Sequence, residues 1–223
     1  MHYPKTCPDP VTRRFFSYQF ATRASAWLSG CVLACFVSTP YAQISADEMI
    51  HSTVSRVLAE LADRRVELES DFALLYALVD EIVVPQIALQ KVSRLILGRH
   101  WKGASEAQRE RFTRSFKDLL IRSYAITMFE YTGKEELRYS PVELKNDGRI
   151  AVVPTQLVMP GQTPVPVAYY CLRGKAGIWK IYDIQIDGIS LIISYRNQYD
   201  QYIDTHGLDA LIESLQSKIA EIN

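Results

Sequence analysis

The sequence lacks an excess of charge of either sign, and its main part lacks a long apolar run. Its 223 residues include 25 Lys and Arg and 25 Asp and Glu. Because nucleic-acid-binding domains usually present a strongly basic surface, this balance argues against a nucleic-acid partner. After residue 40, no segment approaches the roughly 20 consecutive apolar residues that a membrane-spanning helix needs. With 48% hydrophobic residues, the chain is expected to form a folded, soluble domain.

Cysteine is also scarce, which excludes an internal disulfide bond in the part of the chain that follows residue 42. Three of the four cysteines, Cys7, Cys31 and Cys35, lie in the first 42 residues, and only Cys171 follows. A lone cysteine has no partner within its own chain, so interior packing must stabilise the fold. We expect Cys171 to be a small buried residue of a strand.

Residues 1–42 have the composition of an export signal. Four basic residues and one acidic residue come first, an apolar run covers residues 27–37, and Pro40 and Ala42 close the segment. This is the order of a secretory signal peptide, and the run is too short to span a membrane stably. We therefore predict a signal peptide over residues 1–42. The mature domain would then cover residues 43–223, with 21 basic and 24 acidic side chains and a net charge of −3.

Two other export signals are alternatives. Residues 28–31 (LSGC) resemble a lipoprotein box, which predicts a membrane-anchored lipoprotein scaffold with a lipid on Cys31. A lipoprotein box normally ends an apolar stretch, whereas Cys31 lies inside one, so cleavage near Ala42 is favoured. Arg13 and Arg14 resemble a twin-arginine export motif. All three interpretations predict that the protein leaves the cytoplasm.

The first half of the mature chain has a helical pattern. Two capping boxes, Ser45 with Glu48 and Ser105 with Gln108, each precede apolar residues at helical spacing. Two shorter apolar stripes lie between them. The second capping box predicts a helix that continues to Tyr131, about 27 residues and roughly 40 Å long at a rise of 1.5 Å per residue.

The second half changes to a strand pattern and ends in two more helices. Short turn signals such as Asn146-Asp147-Gly148 separate the apolar segments, which predicts an antiparallel meander with one buried face. The expected strands cover residues 137–144, 150–158, 165–173, 178–186 and 189–195. Because helices are grouped first and strands next, the fold class is α+β. We expect an N-terminal helical layer on an antiparallel sheet of four to five strands, with C-terminal helices.

The chain lacks the motifs of common catalytic and cofactor sites. It contains no phosphate-binding glycine loop and no Cys-x-x-Cys, His-Glu-x-x-His or Gly-x-Ser-x-Gly motif. The three histidines of the mature chain, His51, His100 and His206, lie in separate segments. We therefore predict no catalytic residue, no metal site and no cofactor.

Asp183 allows an enzymatic alternative. It lies in a predicted strand between Tyr182 and Ile184, and a buried carboxylate must be paired or protonated. Arg196 is a plausible ion partner. With Tyr124 opposite, Asp183 would resemble the acid of an isomerase in a small helix-over-sheet cavity. An ion pair or an exposed carboxylate is the favoured interpretation.

Two separated regions resemble the MlaC or toluene-tolerance family. Residues 97–101 (LGRHW) and 108–120 (QRERFTRSFKDLL) are similar to the family's fourth-helix pattern. Residues 179–191 (WKIYDIQIDGISL) and 195–199 (YRNQY) are similar to its more specific C-terminal pattern. The resemblance extends over residues 46–222, which is nearly the whole mature chain.

The resemblance implies a periplasmic phospholipid carrier without a catalytic site. Family members move lipid between an outer-membrane lipoprotein–porin complex and an inner-membrane ABC transporter with an MCE-domain subunit, which maintains outer-membrane lipid asymmetry. The family fold holds the acyl chains in an apolar cavity between a helical layer and an antiparallel sheet. Two acyl tails have about 30 methylenes, so exposing them to water costs on the order of 25 kcal/mol. A carrier therefore needs such a cavity.

On this resemblance, the tails would contact the inner faces of the fourth helix and of the strands. The predicted lipid-binding residues are Phe116, Leu120, Tyr124, Met128, Val153, Val167, Ile184 and Leu191. Each helix residue also fits a closed core, and the strand faces rest on alternation alone, so a shift of one residue would invert them. Asp183, Ser190 and Arg196 are assigned to structure or to partner docking.

Overall fold

The structure is a computed structural model that describes residues 44–222. The predicted signal peptide, Cys31 and the twin-arginine pair lie outside the described residues. All described residues belong to one contact unit of the chain. Within this unit, no helix is both long enough and apolar enough to cross a membrane.

Helices occupy the first half of the described chain and its C-terminal end. The α-helices are α1 (Ala46–Asp63), α2 (Arg65–Ser70), α3 (Phe72–Ile82), α4 (Leu89–Leu97), α5 (Glu106–Ala125), α6 (Leu191–His206) and α7 (Leu208–Glu221). Short 3-10 helices cover Val84–Gln86, Gly98–Trp101 and Ile126–Glu130.

Both predicted capping boxes are confirmed. The Glu48 N–H donates to the Ser45 hydroxyl oxygen at 3.4 Å, and the Ser45 N–H donates to the Glu48 carboxylate at 2.9 Å. The Gln108 N–H donates to the Ser105 hydroxyl oxygen at 3.2 Å, with a return bond of 3.0 Å to the Gln108 side chain. These bonds satisfy backbone donors that the first turn of a helix leaves without partners, so α1 and α5 begin where the sequence predicts.

Helix α5 is shorter than predicted. The α-helix ends at Ala125, and residues 126–130 form a 3-10 helix instead of its last turns. The Thr127 hydroxyl donates to the Tyr124 carbonyl oxygen at 2.7 Å. Such a local bond competes with regular helical hydrogen bonding, and β-branched residues fit a helix less well. The helix packs mainly on α3, α4 and α7, so it lies within the helical layer.

The strands form one antiparallel sheet. They are β1 (Glu136–Tyr139), β2 (Glu143–Lys145), β3 (Ile150–Val158), β4 (Val165–Arg173), β5 (Trp179–Ile186) and β6 (Ile189–Ser190). β1 and β2 both pair with β3, which is followed by β4, β5 and β6. The described sheet thus has six strands because the segment predicted as one strand over residues 137–144 is interrupted around Pro141, which has no N–H for a sheet hydrogen bond.

The structure contradicts the last predicted strand. We expected a strand over residues 189–195 from the alternation of apolar and polar side chains. Only Ile189–Ser190 is a strand, and helix α6 begins at Leu191. Tyr195 therefore lies in the second turn of a helix.

Two side chains that precede the helix, those of Asp183 and Ser190, explain why a helix forms at Leu191. The Ser190 hydroxyl oxygen accepts a hydrogen bond from the Ile193 N–H at 3.1 Å. The Asp183 carboxylate accepts one from the Ile192 N–H at 3.1 Å and another from the Ser190 hydroxyl at 2.6 Å. Since the first N–H groups of a helix have no partners within it, these bonds favour the helix over the strand.

Three apolar clusters hold the described residues together. One joins α4, α5, α6 and α7 around Phe112 and Phe116. The second joins α1 to the inner face of β3, β4 and β5, and the third joins α1, α2, α3 and α5. The first cluster therefore lies within the helical layer, beside the strand β5 that continues through β6 into α6.

Cys171 gives a direct test of the packing of the sheet. It lies in β4 and is fully buried, and burial raises the pKa of its thiol to about 12. Because the thiolate is the reactive form, we expect negligible alkylation by iodoacetamide at pH 8 in the native state and rapid alkylation in urea. Peptide mapping by mass spectrometry would distinguish Cys171 from the other cysteines. Equal labelling rates with and without urea would contradict this packing.

Candidate functional site

An apolar cleft lies where α4, α5 and α6 meet strand β5. Its walls consist almost entirely of hydrocarbon and aromatic side chains. The lining residues are Ile87, Val92, Ile96, Phe116, Leu120, Ile181, Tyr182, Asp183, Ile184, Leu191, Ile192 and Tyr195.

The helix walls follow from residue spacing. Val92 and Ile96 lie one turn apart on α4, and Phe116 and Leu120 lie one turn apart on α5. Residues four apart lie on the same helix face, so each helix presents a pair of apolar side chains to the cleft.

Strand β5 is connected to two of these helices by hydrogen bonds, one accepted by its backbone and one by a side chain. The Ala88 N–H, just before α4, donates to the Ile181 carbonyl oxygen at 2.8 Å. The Asp183 carboxylate accepts a hydrogen bond from the Ile192 N–H in the first turn of α6 at 3.1 Å. The strand and the two helices are therefore held next to each other by bonds at the ends of α4 and α6.

Aromatic rings form the side of the cleft towards the helical layer. The rings of Phe116 and Tyr195 meet edge to face, with centroids 4.9 Å apart. The Tyr124 and Tyr195 hydroxyl oxygens are 3.4 Å apart. Burial raises the pKa values of Tyr195 and Tyr199 above their usual range, so both phenols stay neutral at physiological pH. The aromatic wall therefore adds no charge to the cleft.

The cleft is narrow in this conformation. Its volume is about 70 Å³. Since one buried water needs roughly 10–15 Å³ by this measure, the cleft has room for about five groups of that size. It is thus a crevice between otherwise packed walls.

The carboxylate of Asp183 is fully engaged in hydrogen bonds to its neighbours. One oxygen accepts from the Ile184 N–H at 2.9 Å and from the Ile192 N–H, and the other accepts from the Ser190 hydroxyl. Arg196 is not its ion partner in the described chain, because the Arg196 Nε–H donates to the Leu95 carbonyl oxygen at 2.6 Å instead. The arrangement is that of a helix cap.

Four of the eight predicted lipid-binding residues meet in the cleft. Phe116 and Leu120 come from α5, Ile184 from β5, and Leu191 from the start of α6. Leu191 reaches the cleft as a helix residue, although the sequence placed it in a strand.

The other four predicted residues lie outside the cleft lining. Tyr124 is 44% exposed and touches the cleft residue Tyr195 through its hydroxyl. Met128 packs against the cluster of α1, α2 and α3. Val153 is fully buried in the cluster between α1 and the sheet, and Val167 is a half-buried residue of β4.

The sequence prediction missed the contribution of α4. Val92 and Ile96 belong to an apolar stripe that is visible in the sequence, but spacing alone does not show which element the stripe faces. The cleft residues Ile192 and Tyr195 were missed because residues 189–195 were predicted as a strand, in which side chains alternate, whereas they lie at or in the start of a helix.

In the described part of the chain, no group of three His, Cys, Asp or Glu side chains is arranged to hold a metal ion.

The fold and the cleft define the class of the protein: an α+β protein with a hydrophobic cleft between a helical layer and an antiparallel sheet. The family profile described as "MlaC protein" matches residues 51–217, three quarters of the chain. The chain belongs to the MlaC family.

Individual relatives match most of the chain. The intermembrane phospholipid transport system binding protein MlaC of Haemophilus influenzae is 23% identical over 193 residues, covering 85% of this chain and 90% of that protein. The toluene tolerance protein ttg2D of Pseudomonas putida is also 23% identical over 193 residues, covering 85% of this chain and 88% of the relative.

A solved structure has the same fold. It is the phospholipid-binding protein from Ralstonia solanacearum in complex with a phospholipid, with a TM-score of 0.72 and 27% identity. The match covers 81% of this chain and 99% of that one.

The Asp183 cap predicts a measurable contribution to stability. We expect Asp183→Ala to lower the free energy of unfolding by about 1–3 kcal/mol, because it leaves the Ile192 N–H and the Ser190 hydroxyl without their acceptor. Urea unfolding followed by circular dichroism would measure the change. Asp63→Ala, at an exposed aspartate on α1, is the control and should have little effect. Equal free energies of unfolding for Asp183→Ala and the unsubstituted protein would contradict the capping role.

Proposed function

We propose that this protein is a periplasmic carrier that binds a phospholipid through its acyl tails and moves it between the inner and outer membranes. The observation that supports this most directly is the cleft lined by side chains of α4, α5, α6 and β5, which is apolar except at Asp183 and the tyrosines. The Ralstonia relative of the same fold is a phospholipid-binding protein, and the Haemophilus relative is named for intermembrane phospholipid transport.

The physical requirement for such a carrier is to keep hydrocarbon out of water. Two acyl tails gain on the order of 25 kcal/mol from apolar surroundings, at about 0.8 kcal/mol per methylene. Leu120, Ile184 and Leu191 offer such surroundings from three different elements of the fold. A lipid headgroup, in contrast, is well solvated and needs no enclosed site.

The cleft must widen to accept a lipid. About 70 Å³ holds about five water-sized groups, whereas two tails have about 30 methylenes. The residues that close the cleft are apolar, so their mutual contacts stabilise a narrow form without ligand and are replaced by contacts with the tails on binding.

The proposed cellular setting follows from the N-terminal segment and from the family. A signal peptide over residues 1–42 would deliver residues 43–223 to the periplasm. There the carrier would meet an inner-membrane ABC transporter with an MCE-domain subunit and an outer-membrane lipoprotein–porin complex. The mass of the exported protein would distinguish a chain cleaved near Ala42 from one lipidated at Cys31.

No observation favours an enzyme centred on Asp183. Both of its carboxylate oxygens accept hydrogen bonds from neighbouring groups of the chain, and burial keeps Tyr195 neutral. We therefore assign Asp183 to the structure of the cleft wall.

Co-purification of lipid is the test of the proposed function. The full chain would be exported, purified without detergent, and examined by native mass spectrometry and by organic extraction. We expect stoichiometric diacyl phospholipid, and reloading from vesicles after delipidation. A protein that is empty and cannot be loaded would refute the proposal.

A substitution in the cleft should remove the lipid without unfolding the protein. Leu120 is half-buried and lines the cleft, so Leu120→Arg places a charge among the tails. We expect at least about tenfold less extracted phospholipid per protein. The control is Leu144→Arg on β2, where the leucine is 65% exposed. Circular dichroism would verify folding, and full lipid content in Leu120→Arg would contradict the assigned site.

A further inference from the structure

A second concave surface lies on α4 and α6, two of the three helices that line the cleft. It has a volume of about 390 Å³ and is lined by residues of α4, of the 3-10 helix Gly98–Trp101 and of α6. We call it the basic pocket; its residues are Lys91, Arg94, Leu95, Gly98, Trp101, Lys102 and Arg196. Four of these seven side chains are cationic, and none is acidic.

The spacing of residues on α4 separates the basic pocket from the cleft. Lys91, Arg94 and Leu95 lie on one face of the helix, while Val92 and Ile96 point to the cleft. In the same way, α6 contributes Tyr195 to the cleft and the next residue, Arg196, to the basic pocket. The two helices therefore form a common wall between an apolar and a cationic surface.

The backbone at the end of α4 brings Arg196 into the pocket. Gly98 ends the helix with a φ of +51°, a conformation that favours glycine. A Cβ on Gly98 would lie 3.6 Å from Arg196 Cδ, so the Arg196 side chain passes close over the helix end. Its Nε–H is bound to the Leu95 carbonyl oxygen, which holds the side chain in place.

The four cations have no acidic partner in residues 44–222. No Asp or Glu oxygen lies within the 4.0 Å of an ion pair from Lys91, Arg94, Lys102 or Arg196. The neighbouring Arg99, in contrast, binds both Asp200 and Asp204.

This cluster is not a consequence of overall charge, because residues 43–223 carry a net charge of −3. Four like charges around one concavity repel each other and attract an anionic group. The pocket is thus complementary to a ligand that brings several negative charges.

From this complementarity we infer that the basic pocket docks an acidic segment of a partner protein, a role that rests on the proposed function as a carrier. Arginine and lysine at the rim fit carboxylate groups, and Arg94 has an exposed guanidinium that can bind one with two hydrogen bonds. The concave shape favours protruding side chains of a protein over the flat surface of a membrane. A partner bound here contacts the two helices that form the cleft wall.

A peptide-binding experiment tests this docking site on the exported protein. The probe is a fluorescent peptide of alternating glutamate and glycine, and the same peptide with glutamine is its control. Lys91→Glu/Lys102→Glu reverses two exposed charges of the basic pocket. Lys134→Glu/Lys175→Glu makes the same change at two exposed lysines outside it. Fluorescence anisotropy would measure affinity, and circular dichroism would verify folding.

We expect the glutamate peptide to bind the unsubstituted protein and to bind about tenfold more weakly to Lys91→Glu/Lys102→Glu, because attraction becomes repulsion at two positions. The control variant should keep its affinity, and added salt should weaken binding. Equal losses in both variants, or no binding of the glutamate peptide, would overturn the inference. Binding only to phosphatidylglycerol vesicles would overturn it in favour of a membrane surface.

Lipid content measured on the same samples separates this inference from the proposed function. Lipid-loaded protein that does not bind the glutamate peptide would refute only the docking site. Protein that binds the peptide but cannot be loaded with lipid would refute the carrier and leave the cationic surface as the binding site of a different kind of protein.

Discussion

The carboxylate of Asp183 determines how the last long strand of the sheet passes into helix α6. It binds the first turn of that helix through the Ile192 N–H and the hydroxyl of the capping residue Ser190. Since Asp183 itself lies in β5, this contact fixes the helix next to the strand. Leu191 and Tyr195 then face Ile184, and the space between them is the apolar cleft. The hydrogen bonds of Asp183 therefore position the apolar walls that β5 and α6 contribute to the cleft.

The cleft has apolar walls and yet is not completely filled by side chains, a combination that is uncommon in a protein interior. Apolar walls normally pack to high density, because a void loses dispersion contacts and is filled by neighbouring side chains. Here hydrogen bonds hold the N-terminal ends of α4 and α6 to β5, and the side chains that line the cleft between them are almost all apolar. Contacts between these side chains can be exchanged for contacts with hydrocarbon at little cost. A narrow cleft is thus compatible with a carrier that closes when it is empty.

Local signals predicted much of this fold, and long-range contacts account for what they missed. Ser45 and Ser105 predicted the starts of α1 and α5 because a helix cap involves residues only three apart. The start of α6 was predicted wrongly because its cap depends on Asp183, seven residues before Ser190, and because the alternation over residues 189–195 resembles a strand. Spacing likewise showed the apolar face of α4 but not that Val92 faces β5. It placed Met128 on the same stripe as Phe116, although the helix ends between them.

An experimental structure of the exported protein with its co-purified phospholipid would show whether the cleft holds the acyl chains. We expect hydrocarbon between Phe116 and Leu120 on one side and Ile184 and Leu191 on the other. We also expect the cleft walls to lie farther apart than in the narrow cleft of about 70 Å³. Acyl chains bound elsewhere on the protein, with the cleft still narrow and closed, would contradict the assignment of the cleft as the lipid site.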